Sequence, residues 1–189
     1  MRRLASLCLV GLAACADPSS RATAPEELSV SLRMGGGNAA VHLTGAAEVP
    51  ARDTPAQGQA TFRVNDDMTA IEYKLNAANI DNVIMAHIHI GPATCSCPIG
   101  VWLTDGPPPF PSGGGPFDGR LAEGTITAAD LIGPLAGKTV ADLVAEIRSG
   151  NAYVNVHTND GVSPTNTGPG DFPGGEIRGQ LGVGSLFTP

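Results

Sequence analysis

An all-β fold, an antiparallel Greek-key-like β-sandwich with one short helix, is predicted by three features of this sequence. First, apolar and polar residues alternate with a period of two over several short runs, and turn residues separate the runs. Second, only one stretch, residues 139–150, repeats its apolar residues at helical spacing. Third, aromatics make up 4% of the chain, so Val, Ile, Leu and Ala must build the core. Many short strands with a single helix favour two packed sheet layers.

The elements follow in chain order. Met1-Arg2-Arg3 opens the chain with positive charge, and residues 4–14 (LASLCLVGLAA) form an apolar run too short for a permanent membrane helix. Residues 1–14 therefore read as a secretory signal. The run closes on Leu12-Ala13-Ala14-Cys15, which resembles the bacterial lipobox and makes Cys15 the lipidated N-terminus of the mature chain. Residues 15–38 mix polar residues, Pro and Gly as a tether, with a short strand expected at Leu28–Leu32. The globular domain is predicted over 39–182, with a tail at 183–189. AAVHLTG (39–45) places Val41 and Leu43 on one face. QATFRVN (59–65) sets Ala60, Phe62 and Val64 against Gln59, Thr61 and Arg63. TAIEYKLN (69–76) sets Ile71, Tyr73 and Leu75 against Glu72, Lys74 and Asn76. VIMAHIHI (83–90) and GVWL (100–103) continue the sheet. Residues 105–119 hold too much Pro and Gly for regular structure and are predicted as a surface loop. In TVADLVAEIRSG, Val140, Leu143, Val144 and Ile147 share one helical stripe, with Thr139 as N-cap and Gly150 as stop. NAYVNVHT (151–158) and GEIRGQL (175–181) return to strand across a Gly- and Pro-rich loop.

Charge narrows the partners. Loss of Arg2 and Arg3 with the signal moves the formal charge from −7 to −9, because no acidic residue precedes Cys15. Such a surface disfavours nucleic acid and suits cationic or metal ligands. The expected contact with a membrane is the lipid on Cys15, in an extracytoplasmic location at the outer membrane or cell surface. There is no nucleotide-binding glycine motif, and neither a Ser-His-Asp set nor a paired-carboxylate motif emerges.

The chemistry concentrates in three of the four histidines. His87 and His89 are two apart in a strand, so they share a face opposite Ala86, Ile88 and Ile90. In the later strand Val154 and Val156 form the apolar side, leaving Tyr153, Asn155 and His157 opposite. If both strands bury their aliphatic faces, the three imidazoles stand on the outer surface of the sandwich. On neighbouring strands they would reach a common ion at roughly 2 Å, and copper(II) binds imidazole most tightly of the common divalent ions. The alternative is three ordinary surface histidines. His42 shares a face with Ala40 and Thr44 and joins the site only if its strand borders it. Cys95 and Cys97 either pair as a disulfide or add soft sulfur ligands. Asp160 and Asp171 read as solvated loop residues. Glu176 and Arg178 share a face, which makes a surface ion pair the plain reading of the arginine.

Four segments, LTGAAEVP (43–50), AHIHIGP (86–92), GTITAADLIGPLAGKTVADLVAEIRSGNAYVNVHT (124–158) and GGEIRGQL (174–181), together resemble the chordin-type, or CHRD, domain. The resemblance implies a secreted or anchored β-sandwich and leaves activity open. The order His-Ile-His, then Val-Asn-Val-His-Thr, then a Gly-rich Arg segment is also similar to copper/zinc superoxide dismutases. That likeness implies copper ligation by His87, His89 and His157, with Arg178 as the catalytic cation that guides the anion. No histidine lies between His89 and His157, so the bridging and zinc-loop histidines of that family have no counterpart. The expected function is a cell-envelope metal-binding domain with superoxide dismutase-like activity, against a non-catalytic adhesion module without metal.

Overall fold

The computed structural model describes residues 37–104, 114–182 and 186–187. Nine strands occur among them: β1 Asn38–Thr44, β2 Gln57–Val64, β3 Ile71–Asp81, β4 Val83–Ile90, β5 Ile99–Trp102, β6 Pro116–Ile126, β7 Ala152–Thr158, β8 Ile177–Leu181 and β9 Leu186–Phe187. They form one antiparallel sheet in the order β5-β4-β7-β8-β1-β2-β3-β6, with β9 paired to β1. Hairpins join β1 to β2 and β2 to β3, whereas longer connections bring β6 back beside β3 and β7 back beside β4. The sheet folds over on itself. Tyr73 Oη on β3 donates to the Leu103 carbonyl just beyond β5, 2.8 Å away. Leu43, Leu75, Ile80, Ile88, Val154 and Ile177 all enter one buried core.

The one α-helix among the described residues, α1 (Val140–Arg148), buries Val140, Leu143, Val144 and Ile147, the stripe predicted from their spacing. Thr139 and Asp142 form a reciprocal capping box that satisfies two of the amides freed at the helix start. Gly150 takes φ +73° just past its end, a conformation that Gly adopts without side-chain strain.

Three departures from expectation have physical reasons. The predicted 105–119 loop overlaps β6, whose first residue is Pro116; residues 105–113, like Leu28–Leu32 and Cys15, lie outside the described residues. β6 escapes period-two recognition because most of its residues are wet, only Leu121 and Ile126 being buried. Its pairing with β3 also shifts register twice. β3 runs past Asn76 to Asp81, through a positive φ at Asn79. Finally, every residue of β7 is buried, on both faces. One wet face was expected. The chain itself covers it, with residues 91–98, 45–54 and 170–176 making hydrogen bonds across the outer side of β4, β7 and β8.

Candidate metal centre

β4 places His87 and His89 on the side away from Ala86 and Ile88, which sit fully in the core. β7 pairs His87 with Asn155 and Met85 with His157, so His157 lies diagonally across from His87 on the same face. The His87 ring is central, 4.4 Å from the His89 centroid and 4.5 Å from that of His157. One ligand nitrogen from each of the three lies within 4.8 Å of the others. The cluster predicted from the two motifs is therefore assembled, but not on the surface. His87 is 1% exposed and His157 6%, with His89 half-buried. The covering segments that close over β7 account for the difference.

Hydrogen bonds assign the tautomers. His157 Nδ1 lies 2.8 Å from the Pro173 carbonyl, and His89 Nδ1 bonds the Cys97 carbonyl. A carbonyl only accepts, so both Nδ1 atoms carry the proton and both Nε2 atoms keep a lone pair. His157 Nε2 is buried without a hydrogen-bond partner, and so is Nδ1 of His87. Burial pushes His87 down to about 2, with His157 and His89 adding to the effect, and pushes His157 down to about 4 against the Pro173 bond. Burial likewise lowers His89, partly opposed by its bond to the Cys97 carbonyl. All three imidazoles are neutral at pH 7, the protonation state a metal requires. Orphaned ring nitrogens converging in a buried pocket, with the other nitrogen of His89 and of His157 held by a carbonyl, fit a cation with imidazole ligands.

Arg178 sits beside this cluster and is 2% exposed. Its guanidinium lies 3.3 Å from the Tyr153 ring centroid and donates to the carbonyls of Cys95 (2.9 Å) and Pro92 (3.1 Å). The other neighbour of Tyr153 is His89, stacked at 4.6 Å. Arg178, Tyr153 and His89 thus form a layered stack under the 92–97 loop. The predicted surface pair with Glu176 is absent. Glu176 is buried and accepts instead from the Thr54 and Thr158 hydroxyls and from Gly170 N. Asp171, expected in solvent, is also buried and accepts from Thr167 N and Oγ1. Cys95 and Cys97 are joined as a disulfide against Gly91. His42 is exposed, pairs with Gln59 and lines a separate groove with Gln57 and Asn76.

Two residues of the site, Glu48 and Asn155, carried no role in the sequence reading. Asn155 Nδ2 donates to Glu48 Oε1 at 2.6 Å, and both side chains are buried. Burial raises Glu48 to about 7, against the lowering effects of Arg178 and the Asn155 bond. The i,i+2 relation to His157 was a visible signal for Asn155. Glu48 had none, being 107 residues away. Gly175, at φ +122°, covers the pair, and a Cβ there would collide with Asn155 Nδ2 and Glu48 Oε1. Gly175→Ala is expected to lower unfolding free energy by about 2 kcal/mol through backbone strain and displacement of this pair. Equilibrium urea unfolding checks it, and a cost within error of zero would mean the pair shifts freely.

The CHRD domain profile matches residues 39–181. The chain belongs to the CHRD domain family. No curated protein and no solved structure matches it. The CHRD match spans every strand from β2 to β8 and nearly all of β1, so the histidine cluster, Glu48, Asn155 and Arg178 all belong to the CHRD domain.

Proposed function

We propose that this chain is an envelope-anchored CHRD protein that binds copper through His87 Nδ1, His89 Nε2 and His157 Nε2. The observation that carries the reading is the convergence of these three neutral imidazoles, ligand atoms within 4.8 Å, with buried ring nitrogens on His87 and His157 that no hydrogen bond satisfies. Three nitrogen donors without thiolate favour copper(II) over the other common divalent ions by the usual affinity order. Copper so held would supply one-electron chemistry, and superoxide dismutation is the activity this ligand set supports. In this reading the carbonyls of Cys97 and Pro173 orient two of the ligands. Arg178 positions the 92–97 loop and lends its charge to the pocket from below, its donors being spent on carbonyls. The anchor is the lipid on Cys15, consistent with the acidic mature surface.

Metal content tests the proposal. Purified protein equilibrated with copper and freed of excess should retain about one ion per chain by elemental analysis, with the metal lost in the His87→Ala/His89→Ala variant. Equal, negligible copper in both preparations overturns the reading and leaves a non-catalytic interaction module. Loaded protein that fails to consume superoxide keeps the metal site and removes the dismutase activity.

A further inference from the structure

We propose that Asn155 supplies a fourth donor, the carboxamide Oδ1, to the ion held by the three histidines, and that Glu48 and Gly175 fix the carboxamide in that orientation. The inference rests on the metal reading above and deepens it.

Asn155 projects from the same face of β7 as His157 and lies directly opposite His87 in register. It is 3% exposed, and its Oδ1 is buried without a hydrogen-bond partner. The orientation is set by Glu48. A carboxylate accepts, so it takes the Nδ2 side of the amide, which turns Oδ1 away from it. Gly175 closes over the contact and leaves no space for the pair to separate on that side. Oδ1 stays on the covered face of β4 and β7 that carries His87, directly opposite, and His157. The His89 ring borders the same pocket, 4.4 Å from that of His87. Nδ1 of His89 is already committed to the Cys97 carbonyl. The nitrogen left to the pocket is Nε2, which has a lone pair and no proton in the neutral ring. Acceptors gathered in one pocket repel unless a cation lies between them. His87 Nδ1 and His157 Nε2 are likewise buried ring nitrogens without a hydrogen-bond partner. Three imidazole nitrogens and an amide oxygen make a mixed N,O donor set compatible with copper(II).

A copper(II) titration followed by electron paramagnetic resonance, with affinity from chelator competition, tests this directly. Asn155→Leu removes the oxygen at similar volume. It should still take up one copper, at least tenfold more weakly, and its copper spectrum should differ from that of the parent protein. The exchange variant Glu48→Gln/Asn155→Asp keeps the hydrogen bond with its direction reversed and offers a carboxylate oxygen in place of the amide. Its affinity should match or exceed the parent's, again with an altered spectrum. This second variant decides the matter if Asn155→Leu fails to fold. Parent-like spectra and affinities in whichever of these variants folds would overturn the fourth donor while leaving the three-histidine site standing. A parent protein that binds no copper overturns both.

Discussion

Arg178→Ala is expected to lower the unfolding free energy by about 3 kcal/mol, because two charge-assisted hydrogen bonds and a cation–π contact are removed from a buried site at once. The carbonyls of Pro92 and Cys95 would lose their donor, and the Tyr153 ring would lose the guanidinium at 3.3 Å. Arg178→Lys retains the charge but not the planar fork, so it should fall between the two. Urea unfolding of the three proteins measures the order. An alanine variant within 1 kcal/mol of the parent would show that the 92–97 loop holds itself without the arginine. The same variants separate structure from charge in the proposed chemistry. If Arg178 acts on superoxide through its charge, the lysine variant should recover most of the reaction rate at equal copper content, whereas a purely structural role would leave it as slow as the alanine variant.

The second large effect is on the pH dependence of the metal-free protein. Free histidine protonates near 6.5, whereas burial holds His87 down at about 2 and His157 at about 4. As pH falls below 6.5 the unfolded chain takes up protons that the folded chain refuses. Stability is therefore fully present above 6.5 and lost progressively down to about 4 for His157 and further for His87. At pH 5 the loss is about 2 kcal/mol for each of the two. Glu48 works in the opposite direction. Its carboxyl is raised from 4.5 to about 7, so its contribution is present below 4.5 and lost as pH rises toward 7, by about 3 kcal/mol. Between pH 5 and 7 the two slopes oppose each other, and the carboxyl offsets about half of the histidine loss in the parent protein. Glu48→Gln removes one of them. That variant should lose about 4 kcal/mol between pH 7 and pH 5, against about 2 kcal/mol for the parent. Superimposable pH–stability curves for the two proteins would contradict the raised carboxyl of Glu48, and a flat Glu48→Gln curve from pH 7 to 5 would contradict the buried, neutral state of the histidines.

Much of this architecture was readable from local pattern. β2 and the first half of β3 alternate cleanly because one face of each meets the core and the other meets water. The stripe and capping box of α1 were visible because they depend only on residues three and four apart. His87 and His89 share a face for the same local reason. What could not be read depended on contacts between distant segments. β6 is a largely solvated strand with Gly119 and Gly124 in its run, and it exists because β3 offers it a partner. The burial of His157 is imposed by Pro173 and the segment around it, so periodicity in β7 marks which residues share a side and not whether that side is wet. Glu48 meets Asn155 because β8 pairs with both β1 and β7, and no spacing rule encodes that encounter.

A strand enclosed from above as well as below has a consequence for when its chemistry can appear. The pocket needs groups from positions 48, 87, 89, 155, 157 and 178, together with backbone oxygens from 97 and 173. Closing loops of that span comes late in folding, since each requires long-range order already in place. An excised hairpin carrying both His87 and His89 lacks nearly everything that orients and desolvates them. Whatever the pocket holds, it reports on the completeness of the whole domain, and it is forfeited as soon as any of the covering segments opens.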